Sequence, residues 1–161
     1  LAPVAKLLDY DVIIIDPRTA FASPERFPDV KLLAQWPDEA LPPLNIDRYT
    51  AFVALTHDPK IDDPALIHVL SKDCFYIGAL GSRKTHARRL ERLTAQGIGD
   101  NELARIHAPI GLDIGAISPP EIAVSILAEV TAVKNGVALP AGATIAAAKR
   151  DREPTAACAT S

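Results

Sequence analysis

Short runs of apolar residues alternate along the chain with stretches whose apolar residues recur at helical spacing. The run DVIIID at 11–16 is β-branched and continuous between two aspartates, which predicts a strand buried on both faces of a parallel sheet. Similar runs predict strands at 30–35, 51–56 and 74–80. Helical spacing predicts helices at 1–9, 64–72, 82–96 and 101–105. Because strands and helices alternate, the predicted class is α/β with a doubly wound parallel sheet.

The clearest local signal is that of a long helix after residue 117. Ser118 suits the N-cap, Pro119 suits the first helical position, and Glu121 can reach back to complete a capping box. We predict an apolar stripe that packs on the sheet, formed by Ile122, Ile126, Val130 and Val133. The polar stripe consists of Glu121, Ser125 and Glu129. The mixed pattern at 101–117 predicts a short helix followed by a last short strand and a loop.

All of these elements fit in one domain, residues 1–136, of a chain of 161 residues with 48% apolar side chains. The remainder, 137–161, turns Ala-rich and then charged. It contains too little bulky apolar material to offset the entropy lost on ordering, so we predict a disordered tail there. No internal repeat or linker in the sequence indicates a second domain.

Charge and hydropathy argue against several classes of partner. The net charge of -3 gives no electrostatic case for nucleic acid. No apolar run approaches the roughly 18 to 20 residues that span a bilayer, and the first residues lack a signal-like pattern, so we expect a cytoplasmic protein without membrane contact. Cys74 and Cys158 form neither a disulfide framework nor a metal-ligand pattern, and we interpret both as reduced thiols.

Polar residues that follow the apolar runs are candidate ligand contacts, because ligands of doubly wound sheets bind beyond the carboxyl ends of the strands. Asp16 and Arg18 follow the first run. Asp16 could accept hydrogen bonds from a ribose, and Arg18 could meet a 2′-phosphate. Alternatively, Asp16 caps the turn that follows it.

Two further strand ends carry candidates with alternative roles. Thr56, His57 and Asp58 follow the third run, where His57 could bind a phosphate or move a proton, with Asp58 fixing its tautomer. Asp58 is also suited to be the N-cap of the next helix, and adjacent residues of an extended chain point in different directions. Asp113, between Gly111 and Gly115, is either a ligand contact or a carboxylate that stabilises its loop.

The run at 74–80 leads into Gly81, Ser82, Arg83 and Lys84. A glycine before a helix, a hydroxyl at its N-cap and two cations in its first turn predict an anion cradle, because cations there oppose the helix dipole unless an anion is bound. The order of a P-loop is absent. Further along this helix we interpret Arg88, Arg89 and Arg92 as a solvated face. The buried side is assigned to Ala87, Leu90 and Leu93.

Four motifs, followed by the capped helix, resemble the C-terminal Rossmann domain of XdhC/CoxI proteins. They are DPR at 16–18, LTHD at 55–58, GALGSRKT at 78–85 and GLDIGA at 111–116, with SPPEIA after them at 118–123. The resemblance spans roughly residues 1–135, and the combination is far more specific than any single glycine motif.

The resemblance implies a Rossmann-like fold and a protein that carries molybdenum cofactor as cargo. Such a protein protects the cofactor, assists its sulfuration and hands it to xanthine dehydrogenase or a related molybdenum hydroxylase. A sulfur-transfer enzyme would be a second partner, and a homodimer stays open. The phosphate of molybdopterin would lie near Gly81 and Lys84, with Asp16 and Asp113 on the pterin side. The resemblance implies an accessory factor more than an enzyme, and an enzyme with this fold would be an NAD(P)-dependent oxidoreductase.

Two other functions stay open at this point. The fold, with Asp16 and Arg18, also suits an NAD(P)-dependent oxidoreductase or a dinucleotide-binding domain of one, although a fold alone does not establish chemistry. The other open function is that of a partner-binding module with a vestigial pocket.

A complete domain of the family would also begin with a strand and a GxGxxG-like loop before the helix at 1–9. We therefore expect two half-sheets flanking the place of that strand.

Overall fold

The computed structural model describes residues 1–21 and 23–148. Its strands are β1 (Ile13–Ile15), β2 (Lys31–Leu33), β3 (Ala51–Ala54), β4 (Tyr76–Ala79) and β5 (Ile106–His107). Its helices are α1 (Ala2–Leu7), α2 (Pro37–Ala40), α3 (Pro59–Leu70), α4 (Arg83–Ala95), α5 (Asp100–Leu103) and α6 (Pro119–Lys134). The predicted alternation of strands and helices is confirmed. The single turn of α2 was not predicted.

All strand pairs are parallel, and they form two sheets. In the first, Ile13–Ile15 pairs with Lys31–Leu33. In the second, β4 lies between β3 and β5. β1 and β3 each lie at an edge of their own sheet, and Ile15 packs against the core cluster that contains Ala54 of β3. The parallel strands thus form two open sheets.

Helices cover both faces of the larger sheet, as a parallel sheet requires. On one face, Ile77 of β4 packs with Leu66 and Val69 of α3 and Leu93 of α4. On the other, Tyr76 packs with the α6 residues Ile126 and Val130. Because neighbouring residues of a strand point to opposite faces, Tyr76 and Ile77 belong to different cores. All four residues of β4 are buried.

The capping box of α6 is confirmed, with the Ser118 hydroxyl accepting from the backbone N–H of Glu121 and the Glu121 carboxylate accepting from that of Ser118. The predicted polar stripe is wrong for Ser125 and Glu129, which are each only 1% exposed. Ser125 is buried because its hydroxyl donates to the carbonyl of Leu112, at 2.7 Å. A polar side chain with a backbone or side-chain partner can replace an apolar one in a core.

Part of the predicted disordered tail is ordered against the loop after β5. Leu112 and Thr144 form an antiparallel bridge, in which the N–H of Ile145 donates to the carbonyl of Gly111 at 2.9 Å. The N–H of Asp113 donates to the carbonyl of Ala143 at 2.8 Å. Backbone hydrogen bonds therefore hold 143–145 where side-chain hydrophobicity alone predicts disorder. The rest of the predicted tail, 149–161 with Cys158, lies outside the described residues.

Within the part of the chain that the structure describes, no helix is long and apolar enough to cross a bilayer.

Gly78 is required because the loop after β5 packs closely on β4 at Ile110. A Cβ at this position would overlap the Cδ1 atom of Ile110 and lie 2.7 Å from Cε1 of Tyr76. Both neighbours are buried, so neither can move away into solvent. The missing side chain of Gly78 therefore makes room for Ile110 and for the Tyr76 ring.

We expect Gly78→Ala to lower the free energy of unfolding by roughly 1 to 3 kcal/mol, because overpacking a dense core forces its neighbours out of position. Urea denaturation followed by circular dichroism measures this loss. Ile110→Val removes the nearest atom, so a double-mutant cycle of the two substitutions should show favourable coupling. Purely additive effects would contradict the assigned clash.

Candidate functional site

Three parallel strands bring their carboxyl ends to one edge of the structure. Asp16 directly follows β1, Thr56 and Asp58 follow β3, and Gly81 follows β4. β3 and β4 are parallel neighbours, so their carboxyl ends lie side by side. The hydrogen bond to Asp16 and the charges of Asp58 and Asp62 raise the pKa of Arg18, which follows β1.

Asp16 and Arg18 form a tight ion pair at this edge. One oxygen of Asp16 accepts from the backbone N–H and from Nε of Arg18, both at 2.9 Å, and the other accepts from Nη2 at 2.7 Å. The hydrogen bond from the guanidinium lowers the pKa of Asp16 despite its partial burial. Asp16 therefore stabilises its own turn, while its second oxygen keeps one acceptor direction for a ligand.

The residues after β3 hold the start of α3. The Thr56 hydroxyl donates to the buried Asp62 carboxylate at 2.7 Å and accepts from the N–H of Asp58 at 3.2 Å. Asp58 is the N-cap of α3 and accepts from the N–H of Lys60 at 3.0 Å. His57 lies between them with a left-handed φ of 61°. The capping interpretation of Asp58 is thus confirmed.

The turn after β4 has the predicted helix cap. Gly81 has a φ of 137°, and a Cβ there would lie 3.1 Å from Cγ2 of Thr85, so the position favours glycine. Ser82 is the N-cap of α4 and accepts from the N–H of Thr85 at 3.1 Å. The two cations of the predicted cradle differ from each other. The Arg83 guanidinium donates to the carbonyls of Ile145 and Ala148, whereas Lys84 is exposed.

Asp113 and Arg83 contact the same chain segment. The backbone of Asp113 pairs with Ala143, and Arg83 reaches the carbonyl of Ile145. The segment 143–148 therefore joins the loop after β5 to the first turn of α4. The predicted contacts thus fall into two groups, one around Asp16 and Thr56 and one around this segment.

The predicted solvated face of α4 is wrong for Arg89, whose side chain is 2% exposed. Its Nη2 donates to the carbonyl of Leu80 at 3.0 Å and lies 3.7 Å from the Asp62 carboxylate. Arg89 is buried because it lies one helical turn before the buried Leu93 and faces α3. This i, i+4 relation to Leu93 was the available sequence signal. Ala87, which was assigned to the buried side, is exposed.

Arg88, Arg89 and Arg92 line a cavity of about 150 Å³ between α3 and α4. His57, Asp62 and Thr85 also line it, so the cavity opens beside the strand ends described above. Arg92 is paired with Asp63, with Nε and Nη2 at 2.5 and 3.0 Å from the two carboxylate oxygens. We call this cavity the Arg89 cleft.

A second polar cluster lies on the opposite face of the sheet. Glu129, 1% exposed, accepts from the Tyr76 hydroxyl at 2.8 Å and from the N–H of Gly111 at 2.6 Å. Nδ1 of His107 lies 2.9 Å from its other oxygen, and the His107 ring stacks on Tyr76 with centroids 4.6 Å apart. No local sequence pattern indicates this cluster, because Tyr76 and Glu129 are 53 residues apart.

Burial and hydrogen bonding act in opposite directions on Glu129. Burial alone would raise the pKa of this carboxyl, but the donors His107, Tyr76 and Gly111 outweigh it and lower the pKa below the ordinary 4.5. Glu129 is therefore a carboxylate that accepts from all three groups, including Nδ1–H of His107. Burial and the adjacent Glu129 raise the pKa of the Tyr76 hydroxyl far above its ordinary value.

Among residues 1–21 and 23–148, no group of three or more histidine, cysteine or acidic side chains is arranged to hold a metal ion. Cys74 is a free thiol in the core, and burial raises its pKa.

Comparison with known proteins gives one family match. The model of the XdhC Rossmann domain matches residues 1–130. A Bacillus subtilis protein named as a probable xanthine dehydrogenase subunit is 33% identical over 140 residues, which cover 86% of this chain and 40% of that protein. The uncharacterized protein YqeB of Escherichia coli is 35% identical over 137 residues, 84% of this chain and 25% of that protein.

One further relative and one solved structure are also similar to the chain. The Escherichia coli molybdenum cofactor insertion chaperone PaoD is 39% identical over 89 residues, 55% of this chain and 28% of that protein. The crystal structure of a xanthine dehydrogenase from Bacillus halodurans superimposes with a TM-score of 0.71 at 27% identity, covering 83% of this chain and 40% of that one. The chain thus spans a quarter to two fifths of the length of these relatives.

We expect Glu129→Gln to destabilise the protein at neutral pH by roughly 1 to 3 kcal/mol, because the amide turns a donor toward at least one of the three donors that the carboxylate accepts from. Since the folded-state pKa of Glu129 is lowered, its contribution is present above about pH 4.5 and is lost as the pH falls through the folded-state value.

Urea denaturation across the acidic range measures this effect. Below about pH 4.5 the free energy of unfolding should fall more steeply in the unmodified protein than in the variant. Parallel pH profiles for the two proteins would show that Glu129 does not titrate as assigned.

Proposed function

Since the chain belongs to the family of XdhC Rossmann domains, we propose that it is the Rossmann part of a cofactor chaperone. In this proposal it binds molybdenum cofactor and hands it to a molybdenum hydroxylase such as xanthine dehydrogenase. The observation that carries the proposal is the relationship to PaoD, a protein named for inserting molybdenum cofactor. The similarity to the Bacillus subtilis protein supports xanthine dehydrogenase as the enzyme served.

The geometry of the strand ends supports the binding of a ligand. The edge where β1, β3 and β4 end is the usual ligand position in open α/β sheets. The polar side chains at this edge form hydrogen bonds with neighbouring residues. Asp16 pairs with Arg18, and the Thr56 hydroxyl donates to Asp62. Asp58 caps the start of α3. Groups held in this way have fixed positions and can shape a binding pocket.

We assign the ligand contacts to two sides of this edge. The first side contains Asp16, Arg18, Thr56, His57 and Asp58. The second side, where backbone amides at the start of α4 can face an anion, contains Gly81, Ser82, Arg83, Lys84 and Asp113. Because Arg83 already donates to backbone carbonyls, its role in the proposal is to hold the segment 143–148 beside the ligand.

The proposal also includes a sulfur-transfer enzyme as second partner, a homodimer and a cytoplasmic location.

The alternative function is that of a dinucleotide-binding domain that uses NAD(P). Asp16 favours this alternative, because its remaining acceptor direction at the end of β1 suits a ribose hydroxyl.

A binding titration separates the two functions. We expect the protein to retain molybdenum cofactor in equilibrium ultrafiltration, with molybdenum content as the readout, and to bind NAD⁺ and NADP⁺ weakly. Lys84→Ala should raise the dissociation constant for the cofactor about three- to tenfold, because it removes one cation near the phosphate.

Lys72→Ala is the matched control. It removes the same charge just beyond the far end of α3, away from the strand ends, and should leave binding unchanged. Tight NAD⁺ or NADP⁺ binding without cofactor binding would replace the chaperone by the oxidoreductase alternative. Binding of neither ligand would favour a partner-binding module.

A further inference from the structure

Arg89 combines deep burial with incomplete hydrogen bonding. Only Nη2 of its guanidinium has an acceptor, the carbonyl of Leu80. Nε and Nη1 are buried and have no acceptor among the described residues. Leaving buried donors of a charged group unpaired costs on the order of 1 to 3 kcal/mol or more, so such groups need an explanation. Burial also lowers the pKa of Arg89, as expected for a positive charge that its surroundings compensate only in part.

The Arg89 cleft has an excess of positive charge. Three arginines line it, whereas Asp62 is the one carboxylate among its lining residues. Asp62 accepts from the Thr56 hydroxyl and lies 3.7 Å from Arg89. Arg92 is paired with Asp63, which lies outside the lining, and is also near Glu91. The lining of the cleft is therefore positive, in a partly buried setting where Coulomb interactions are strong.

The size and lining of the cleft suit a tetrahedral oxyanion. Its volume of about 150 Å³ is several times the roughly 30 Å³ that one water molecule occupies in the liquid. Besides the guanidinium groups, the Thr85 hydroxyl and the His57 ring line the cleft and can donate to an anion. Planar guanidinium donors match phosphate oxygens in pairs.

We propose that the Arg89 cleft is a phosphate-binding subsite, in which Arg88 and Arg89 hold the phosphate monoester of the bound ligand. The chemical class, a phosphate-type oxyanion, follows from the cleft itself. The identity of its carrier as molybdopterin rests on the proposed function, and the pyrophosphate of a dinucleotide is the other source of the same chemistry. This subsite lies between α3 and α4, and it adds Arg88 and Arg89 to Lys84 as contacts of the phosphate.

Two substitutions test the subsite with inorganic phosphate as the probe. Arg88→Gln removes an exposed charge of the cleft, and Arg89→Met keeps the volume of a buried side chain without its charge. We expect each to weaken phosphate binding at least about tenfold in calorimetric titrations at constant ionic strength. Arg48→Gln is the matched control, since Arg48 is an exposed arginine before β3, and it should change binding less than about twofold.

Equal phosphate binding in all four proteins, or no phosphate binding by the unmodified protein, would overturn the subsite. Circular dichroism checks that Arg89→Met folds. If it does not fold, the effect of Arg88→Gln on phosphate binding alone tests the subsite.

A competition experiment then distinguishes a failure of the subsite from a failure of the proposed function. Inorganic phosphate should displace molybdenum cofactor from the unmodified protein.

Cofactor binding that neither phosphate nor Arg88→Gln weakens would remove the subsite and leave the chaperone function intact. Arginine-dependent phosphate binding without cofactor binding would keep the subsite and remove the chaperone function. If NADP⁺ is displaced by phosphate in the same arginine-dependent way while the cofactor does not bind, the carrier is a dinucleotide.

Discussion

The complete burial of β4 is the constraint on which the rest of the structure depends. The strand has a neighbour on each side and helices on both faces, so each of its residues must fit a defined space. Tyr76 and Gly78 face α6, where the ring of Tyr76 reaches Glu129 and the absent side chain of Gly78 admits Ile110. Directly after the strand, the carbonyl of Leu80 accepts a hydrogen bond from the Arg89 guanidinium. One strand therefore positions both the buried carboxylate on one face and the buried guanidinium on the other.

The local pattern of apolar residues was sufficient to predict the α/β class of the fold, because the geometry of a helix or strand sets the spacing of its apolar residues. The run at 11–16 and the capping box at Ser118 are signals contained within a few residues. Burial of Glu129 was not predictable in this way. Its donors come from Tyr76, His107 and Gly111, and only the folded chain brings them together. A local pattern assigns such a residue to solvent because its partners are distant in sequence.

The location of the candidate site could be predicted from the sequence, but the directions of its side chains could not. Parallel strands end at the same edge, so the positions of Asp16, Thr56 and Ser82 followed from strand assignment alone. The directions of the side chains did not follow. Arg83 turns toward the carbonyls of 145 and 148, which belong to a stretch with no periodic pattern, and Arg89 turns inward toward Asp62 on another helix. The direction of Arg83 depends on a contact between distant elements that a helical-wheel argument cannot contain, whereas the burial of Arg89 could have been found from its i, i+4 spacing to Leu93.

The distribution of charge around the Arg89 cleft also bears on how tightly a ligand can be held. Arg92 and Arg89 each have a carboxylate nearby, which weakens their attraction for an anion relative to arginines without such neighbours. Arg88 is exposed, so its charge is screened by water and salt. In the proposed subsite, an anion would therefore be bound with moderate affinity. Moderate binding is what a protein needs if it must release its cargo to another protein, because very tight binding mainly slows dissociation.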